Sequence, residues 1–224
     1  MELAFSIDNY KAVIFDMDGV LIDSEPQWKV AMEDVFTSVG LQIERKDFQK
    51  TVGLRIDEVI TFWNKYKNLK IPDERAVENA IIDQMIYLVR SNPVPLKGVR
   101  ETLVHLRQIN LKIGLATSSP NRLLKAVLNA LEIESYFDYV HSAEGEPFGK
   151  PHPAVYISAA NALNVDPVDC LVIEDSFNGV ISGKAAKMTV VCIPEKTHEP
   201  NPKLSVADFL FDDMFKFLQK IKGV

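Results

Sequence analysis

Apolar residues recur with two different periods along the chain. Residues 12–15 form an uninterrupted apolar run that ends at a carboxylate, as expected of a strand buried on both faces. Between residues 26 and 92 the apolar positions return at helical spacing, and from Val99 onward strand-like and helical segments alternate. Such alternation is typical of a parallel α/β sheet. The pattern therefore predicts an α/β core interrupted by a helical insertion.

The later elements of the core are predicted from short apolar runs and from helical periodicity. The strands fall at 111–116, 139–141, 170–173 and 189–193, and the helices fall at 99–109, 123–131, 154–163 and 180–187. A last strand and helix end near Ile221. Residues 195–205 are rich in turn-forming residues and are predicted to form a surface loop.

Three helices are predicted in the insertion. Their apolar faces are Val30, Val35, Phe36 and Val39 in the first; Ile56, Val59, Ile60 and Trp63 in the second; and Val77, Ile81, Met85, Leu88 and Val89 in the third. Gly40 is expected to end the first helix, and the Pro-rich segment 91–98 is predicted to be a linker. These boundaries divide the chain into an α/β core, residues 1–22 and 95–224, and a helical domain, residues 23–94.

Composition narrows the possible function classes. The 224 residues carry a net charge of −6, which argues against broad binding to nucleic acids or anionic membranes. No apolar run approaches membrane-spanning length, and residues 1–11 fit neither a secretory signal nor a transit peptide. Cys170 and Cys192 lie in apolar runs, where free thiols are ordinary core residues. We therefore expect a cytoplasmic protein with reduced cysteines, acting as a monomer.

The first predicted strand ends at two carboxylates, Asp16 and Asp18, and Gly19 supplies the freedom for a tight turn. Open α/β sheets bind their ligands at the carboxyl ends of the strands. Two acids that alternate along an extended backbone concentrate negative charge, which a proton or a cation must offset. The pair therefore predicts a metal site.

A polar cluster, Thr117-Ser118-Ser119-Pro120-Asn121, follows the second predicted strand. It precedes a helix, and the free N–H groups of a helix start can bind an anion. Helix capping by Ser119, with Pro120 at the first helical position, would explain those two residues without any ligand. Capping does not account for Thr117.

Two further strands are followed by Lys150 and by the pair Glu174-Asp175. A loop lysine is most often only solvated, and an acid pair can simply cap a helix. Taken together, however, carboxylates, a lysine and hydroxyl donors form a set suited to phosphoryl transfer. Mg²⁺ would offset the repulsion between a carboxylate nucleophile and a phosphate. One acid of the first strand would then attack phosphorus, and the other would transfer protons.

Four motifs that occur in this order resemble those of the haloacid dehalogenase superfamily of phosphatases. They are Asp16-Met-Asp18-Gly-Val, Thr117 after an apolar strand, Lys150 before Pro151, and Glu174-Asp175. The helical insertion resembles the α-helical cap of beta-phosphoglucomutase and of sugar phosphatases. The resemblance implies a Rossmann-like parallel sheet whose first strand is central, lying between the strands that end near Thr117 and Asp175.

The resemblance also implies roles for the four acids. Asp16 would be the nucleophile and Asp18 the general acid/base. Asp16, the backbone carbonyl of Asp18, and Asp175 would bind Mg²⁺, with Glu174 as a direct or a secondary partner. Because the dehalogenases of the superfamily do not use a second acid at the place of Asp18, dehalogenation is disfavoured.

The phosphoryl group would be held, by the same resemblance, by Thr117, Ser118 and Lys150, with assistance from Asn121. The cap would close over the leaving group of the substrate.

Cap residues that could touch the substrate are Arg55 in Gly53-Leu-Arg55, and Glu25 with Trp28 near the start of the insertion. Arg55 could equally be solvated at a helix start. Trp63 could line the same cleft, although its place on an apolar helix face favours the cap core. Trp28 occupies the position where the related mutase has a histidine. The absence of that histidine favours hydrolysis over the mutase reaction.

The expected function is therefore a Mg²⁺-dependent phosphatase acting on small sugar phosphates of the hexose-phosphate type through an aspartyl-phosphate. Two alternatives remain: a phosphosugar mutase similar to beta-phosphoglucomutase, and a non-catalytic module that binds phosphorylated metabolites.

Overall fold

Six short segments become the strands of one sheet in the computed structural model, which describes residues 5–68, 70–196 and 201–223. They are β1 (Ala12–Phe15), β2 (Lys112–Thr117), β3 (Tyr139–Ser142), β4 (Cys170–Glu174), β5 (Thr189–Cys192) and β6 (Phe209–Leu210). All neighbours are parallel, and the order is β3-β2-β1-β4-β5-β6. The predicted α/β class and the central position of β1 are both confirmed.

Eight α-helices accompany the sheet within these residues. They are α1 (Glu25–Ser38), α2 (Ile56–Tyr66), α3 (Glu74–Ser91), α4 (Val99–Gln108), α5 (Asn121–Leu131), α6 (Ala154–Leu163), α7 (Phe177–Ala185) and α8 (Met214–Lys222). None of the described helices is both long and apolar enough to cross a membrane.

Both faces of the sheet are buried, which explains the continuous apolar run of β1. Val13 and Phe15 point to the layer that contains α4, α5 and α8, whereas Ala12 and Ile14 point to the layer of α6 and α7. Because side chains alternate along a strand, apolar residues are required at successive positions of a sheet covered on both sides. The result is a three-layer core with β1 at its centre.

The helical insertion contains α1, α2 and α3 together with a 3-10 helix, Arg45–Thr51, that the sequence did not predict. Helix α3 contacts α1 and α2, and also α5 of the core. The two connecting segments pair with each other: Asp23 N–H donates to Val94 O at 2.9 Å, and Leu96 N–H donates to Leu21 O at 3.1 Å. The predicted domain boundaries, 22/23 and 94/95, fall within this pair of connections.

One predicted helix face is partly wrong. The buried residues of α1 are Ala31, Met32 and Phe36, whereas Val30 is 39% exposed and Val39 is 40% exposed. Met32 and Phe36 are one turn apart and define the inward stripe, which Val30 does not share, and Val39 lies beyond the last residue of the helix. The predicted faces of α2 and α3 are buried except for Leu88, which is half-buried.

Two helix starts and one loop also differ from the predictions. Helix α7 begins at Phe177, because the Ser176 side chain caps it by accepting from Gly179 N–H. Helix α5 begins at Asn121, and Ser119 does not cap it. Within the predicted loop 195–205, residues 197–200 lie outside the described residues and Pro202–Val206 forms a 3-10 helix. Residues 1–4, part of the segment 1–11 discussed above, also lie outside the described residues.

Replacing Ile81 by alanine should destabilise the protein by about 2–5 kcal/mol, since its fully buried side chain lies on α3 and the substitution leaves a cavity. The free energy of unfolding from urea denaturation measures this. Tyr87→Ala, at a 65% exposed position of the same helix, is the matched control and should change that free energy by less than about 0.5 kcal/mol. Equal losses in the two variants would contradict the buried role of α3.

Candidate active site

Three neighbouring strands end at chemically reactive residues. Asp16 follows β1 directly, Thr117 is the last residue of β2, and Glu174 is the last residue of β4. Because β1 pairs in parallel with both β2 and β4, these residues lie at one edge of the sheet. Asp18 and Asp175 follow immediately along the chain. The strand-end residues singled out from the sequence are therefore neighbours in space.

Lys150 lies at the centre of this edge and is 1% exposed. Its Nζ donates to Asp16 Oδ1 at 2.7 Å, to Glu174 Oε1 at 2.7 Å and to the carbonyl of Ala116 at 3.1 Å. Burial alone would lower the pKa of Lys150, but the charges of Asp16 and Glu174 outweigh it and hold that pKa above its usual value. Lys150 is therefore a charged group shared between two carboxylates, and not a solvated loop lysine.

Glu174 is fully buried, and both of its oxygens have partners. Besides Lys150, Oε1 accepts from the hydroxyl of Tyr156 at 2.6 Å, while Oε2 accepts from the N–H groups of Asp175 and Ser176 and from Ser176 Oγ. Burial would raise the pKa of Glu174, but Lys150 and these hydrogen bonds hold it below its usual value. The sequence carried no signal for the contribution of Tyr156 beyond its position on α6.

Glycine at 179 permits this arrangement. A Cβ at that position would lie 1.8 Å from Oε1 of Glu174, so the start of α7 can approach the carboxylate only without a side chain.

Asp16 and Asp175 are nearly buried, and their negative charges are less well compensated. Burial raises the pKa of Asp16 to about 7, against the attraction of Lys150. Burial also raises the pKa of Asp175 well above its usual value, and the charges of Glu174 and Asp16 add to that effect. No hydrogen bond to the Asp175 carboxylate is found among the described residues. Three neighbouring acids thus have one lysine beside them, and its hydrogen bonds reach the carboxylates of Asp16 and Glu174 only.

These three acids fit a divalent cation. Asp16, Glu174 and Asp175 each offer an oxygen within 4.8 Å of the others, and no second such group occurs in the described part of the chain. Oxygen ligands of this kind suit Mg²⁺. Gly19, at φ +72°, shapes the same place: a Cβ there would lie 2.0 Å from Asp175 Oδ2. Because Glu174 already accepts five hydrogen bonds, Asp16 and Asp175 are the acids with unused ligand capacity.

Asp18 has different partners from Asp16. Its Oδ1 accepts from Ser24 Oγ at 2.6 Å and from Trp28 Nε1 at 2.9 Å, and its Oδ2 accepts from Ser119 Oγ at 2.7 Å. The capping interpretation of Ser119 is therefore wrong, since its hydroxyl binds Asp18 instead of the start of α5. Ser24 was not predicted to belong to the site.

The polar cluster after β2 divides between two places. Thr117, Ser118 and Ser119 line the cleft, and Thr117 Oγ1 accepts from Ser119 N–H at 3.1 Å. Asn121 does not join them, because its backbone N–H and Nδ2 both donate to Glu144 Oε2, at 3.0 and 2.7 Å. The structure gives Asn121 a partner outside the cleft.

The loop at residues 51–55 covers the site. Gly53, at φ +82°, accepts from Ser118 Oγ through its carbonyl at 2.9 Å, and a Cβ on it would lie 2.6 Å from Ser176 Oγ. Asn178 Nδ2 donates to Val52 O at 2.8 Å. Glycine at 53 thus allows the insertion to pack directly on Ser118 and Ser176, which lie beside the strand-end carboxylates.

Arg55 faces away from the cleft. Its guanidinium pairs with Asp57 and donates to the carbonyls of Ala143 and Glu146, at 3.1 and 2.8 Å. In the cleft its sequence neighbours Leu54 and Ile56 take the place expected for Arg55. Arg55 is the N-cap residue of α2, and its side chain turns toward Asp57 and the core carbonyls while Leu54 and Ile56 line the cleft. Arg55 therefore joins the insertion to the core.

The cleft has a polar floor and a mostly apolar wall. Glu25 and Trp28 line it as expected, whereas Trp63 is fully buried inside the insertion. The apolar wall consists of Met32, Phe48, Val52, Leu54, Ile56 and Val59.

A carboxylate paired with a buried lysine, a second carboxylate held by neutral donors, and an acidic cluster suited to Mg²⁺ are groups that phosphoryl-transfer hydrolases of the α/β class use. A family model described as haloacid dehalogenase-like hydrolase matches residues 10–187. The chain belongs to this family.

Three similar proteins cover nearly the same length. Hexitol phosphatase B of Escherichia coli K12 is 39% identical over 210 residues, which cover 93% of this chain and 95% of that protein. The phosphorylated carbohydrates phosphatase of Thermotoga maritima is 32% identical, covering 79% and 81%. A crystal structure of beta-phosphoglucomutase from Clostridium difficile superposes with a TM-score of 0.83 at 26% identity, covering 96% and 98%.

Family membership and relatives named as phosphatases confirm the resemblance and the prediction of a phosphoric monoester hydrolase. The alternative of a non-catalytic binding module is thereby set aside.

In the absence of metal, the stability of the enzyme should fall as pH rises from about 5 to about 7. The pKa of Asp16 is raised to about 7 in the folded protein but is about 3.9 in an unfolded chain, so only the folded state holds this proton between those values. Urea denaturation in EDTA over this pH range measures the slope, to which the Asp16 proton adds up to about 1.4 kcal/mol per pH unit. Asp16→Asn should make the slope shallower, with the remainder coming from Asp175, whose pKa is also raised; identical slopes would contradict the shifted Asp16.

Proposed function

We propose that this chain is a Mg²⁺-dependent phosphatase that hydrolyses small sugar phosphates of the hexose-phosphate type through an aspartyl-phosphate on Asp16. The observation that carries the proposal is the difference between two acids of one strand end. Asp16 is bound by the Lys150 ammonium group, whereas Asp18 is bound by two hydroxyls and an indole N–H. Asp16 thus lies beside a positive charge, whereas Asp18 lies among neutral hydrogen-bond donors.

The proposed reaction has two steps. Asp16 attacks phosphorus as the bond from phosphorus to the sugar oxygen breaks, and Asp18 gives its proton to that oxygen. Water then attacks the aspartyl-phosphate and returns a proton to Asp18, which releases inorganic phosphate and restores Asp16. Lys150, Thr117 and Ser118 hold the phosphoryl oxygens during both steps.

Asp16, Asp175 and the backbone carbonyl of Asp18 would hold Mg²⁺, and Glu174 would act as a secondary partner that orients Lys150. When bound, the ion supplies positive charge that offsets the repulsion between the carboxylate and the phosphate. The raised pKa values of Asp16 and Asp175 support this proposal, because both report negative charge without enough compensation.

Residues 23–94 form the cap in this proposal and select the leaving group. Glu25 can accept hydrogen bonds from sugar hydroxyls, and the indole face of Trp28 can lie against a sugar ring. The relatives named for hexitols and phosphorylated carbohydrates support this substrate class.

Simple hydrolysis is favoured over the mutase alternative by the charge of the cleft. Among its described lining residues, Lys150 is the single cationic side chain, which supports binding of one phosphate group and not of a bisphosphate. Trp28, in place of the histidine of the related mutase, supports the same conclusion. The similarity to a beta-phosphoglucomutase structure keeps the mutase as the alternative to be tested.

A cytoplasmic monomer stays our prediction for the working form. The two cysteines are free and buried, which suits a reducing compartment.

Phosphate release from p-nitrophenyl phosphate and from a panel of hexose and hexitol phosphates tests the proposal. Asp16→Asn should lower kcat by roughly 10³-fold or more, because its side chain cannot form the acyl phosphate. EDTA should abolish activity and added Mg²⁺ should restore it. Asp169→Asn is a matched control: this partly exposed acid pairs with Lys11 away from the cleft, and its loss should leave kcat unchanged. Undiminished turnover by Asp16→Asn would refute the assigned nucleophile.

Hydrolysis and isomerisation can be separated by following glucose 1-phosphate in the presence of the corresponding bisphosphate. We expect inorganic phosphate to appear faster than any isomer. The opposite order would establish the mutase.

A further inference from the structure

Trp28 makes a polar contact that its position on the cleft wall does not require. Its ring lines the cleft from α1, and its Nε1–H donates to Asp18 Oδ1 at 2.9 Å. The first turn of α1 is anchored independently, since Gln27 Nε2 donates to the carbonyl of Asn92 at 2.9 Å in the opposite connection. Trp28 therefore reaches Asp18 from a helix start that is fixed to the end of α3, where the chain returns to the core.

The three donors on Asp18 are not equivalent. The hydroxyls of Ser24 and Ser119 can rotate and can either donate or accept, whereas an indole N–H can only donate. Oδ1 therefore has an obligatory acceptor role. Oδ2, whose partner is the rotatable hydroxyl of Ser119 at 2.7 Å, is the oxygen left to face a leaving group.

We propose that Trp28 is a positioning residue for Asp18: its indole N–H fixes Oδ1, so that Oδ2 is presented to the oxygen of the departing alcohol. The proposal rests on the proposed function, in which Asp18 serves as the general acid. It assigns Trp28 a role beyond packing against the substrate, because the contact is made to a catalytic side chain. It also makes the presentation of Asp18 depend on α1 of the cap and on Ser119 of the core together.

The test uses a series of substituted phenyl phosphates in kcat/KM measurements with Mg²⁺. These substrates are similar in size but differ in how much their leaving oxygen needs a proton. The value of kcat/KM reports only the steps up to departure of the alcohol, so hydrolysis of the aspartyl-phosphate does not enter. Trp28→Phe keeps an aromatic surface and removes the N–H.

We expect Trp28→Phe to steepen the dependence of kcat/KM on leaving-group pKa. The loss should reach roughly 10²-fold for phenyl phosphate and for hexose phosphates, and should be slight for p-nitrophenyl phosphate, which needs no proton. Met32→Leu changes the same wall one turn further along α1 without touching a polar contact. It should lower kcat/KM by the same factor for every substrate in the series. A uniform loss, or no loss, in Trp28→Phe would overturn the proposal.

A double-mutant cycle with Asp18→Ala gives a second measurement. If Trp28 acts through Asp18, Trp28→Phe should have no further effect on the leaving-group dependence once Asp18 is gone. An undiminished effect in that background would show that Trp28 acts on the substrate instead. Trp28→Leu, which also lacks the N–H, is used if Trp28→Phe does not fold.

The proposal and the underlying function fail in different ways. If the wild-type enzyme releases no phosphate from any substrate, or if Asp18→Ala leaves the leaving-group dependence unchanged, the proposed function is wrong. If Asp18→Ala steepens that dependence and Trp28→Phe does not, only the role of Trp28 is wrong.

Discussion

The buried ammonium group of Lys150 is the interaction on which the site depends. It joins Asp16 after β1, Glu174 at the end of β4, and the carbonyl of Ala116 in β2, so one cation ties three adjacent strands together at their carboxyl ends. A charge buried this deeply is tolerable only while its partners remain, and removing one side of such a pair commonly costs about 3–5 kcal/mol. The contact that fixes the Asp16 carboxylate therefore also holds the end of the sheet together.

Asp16 and Asp18 show how one residue type acquires two different sets of partners from its surroundings. They are two positions apart, but the chain turns between them, so Asp16 meets the core and Asp18 meets both the cap and the loop after β2. The loop at residues 51–55 rests on Ser118, Ser176 and Asn178, which lie beside the strand-end carboxylates. The contacts that hold the insertion on the core and those that order the groups around Asp18 are consequently parts of one set.

Much of the fold and of the site floor could be predicted from the sequence, because burial on two faces and polar strand ends leave clear patterns. The run at β1, the order of the motifs, and the buried faces of α2 and α3 are examples. What could not be predicted depends on direction in space. Arg55 and Ile56 are adjacent, and only the path of the backbone decides which one enters the cleft. The hydroxyl of Ser119 suits a helix cap and Asp18 equally well until the tertiary structure brings Asp18 within reach.

The paired connections at residues 21–23 and 94–96 have a consequence for how such an enzyme can diversify. The chain leaves the core and returns to it at one antiparallel contact, Ile22 with Pro95, so the two ends of the insertion are adjacent. The path of the sheet is then independent of how long the inserted segment is or what it contains. An insertion of different length or sequence could therefore replace residues 23–94 while the strands of the sheet keep their register, so the wall of the cleft can change separately from its floor.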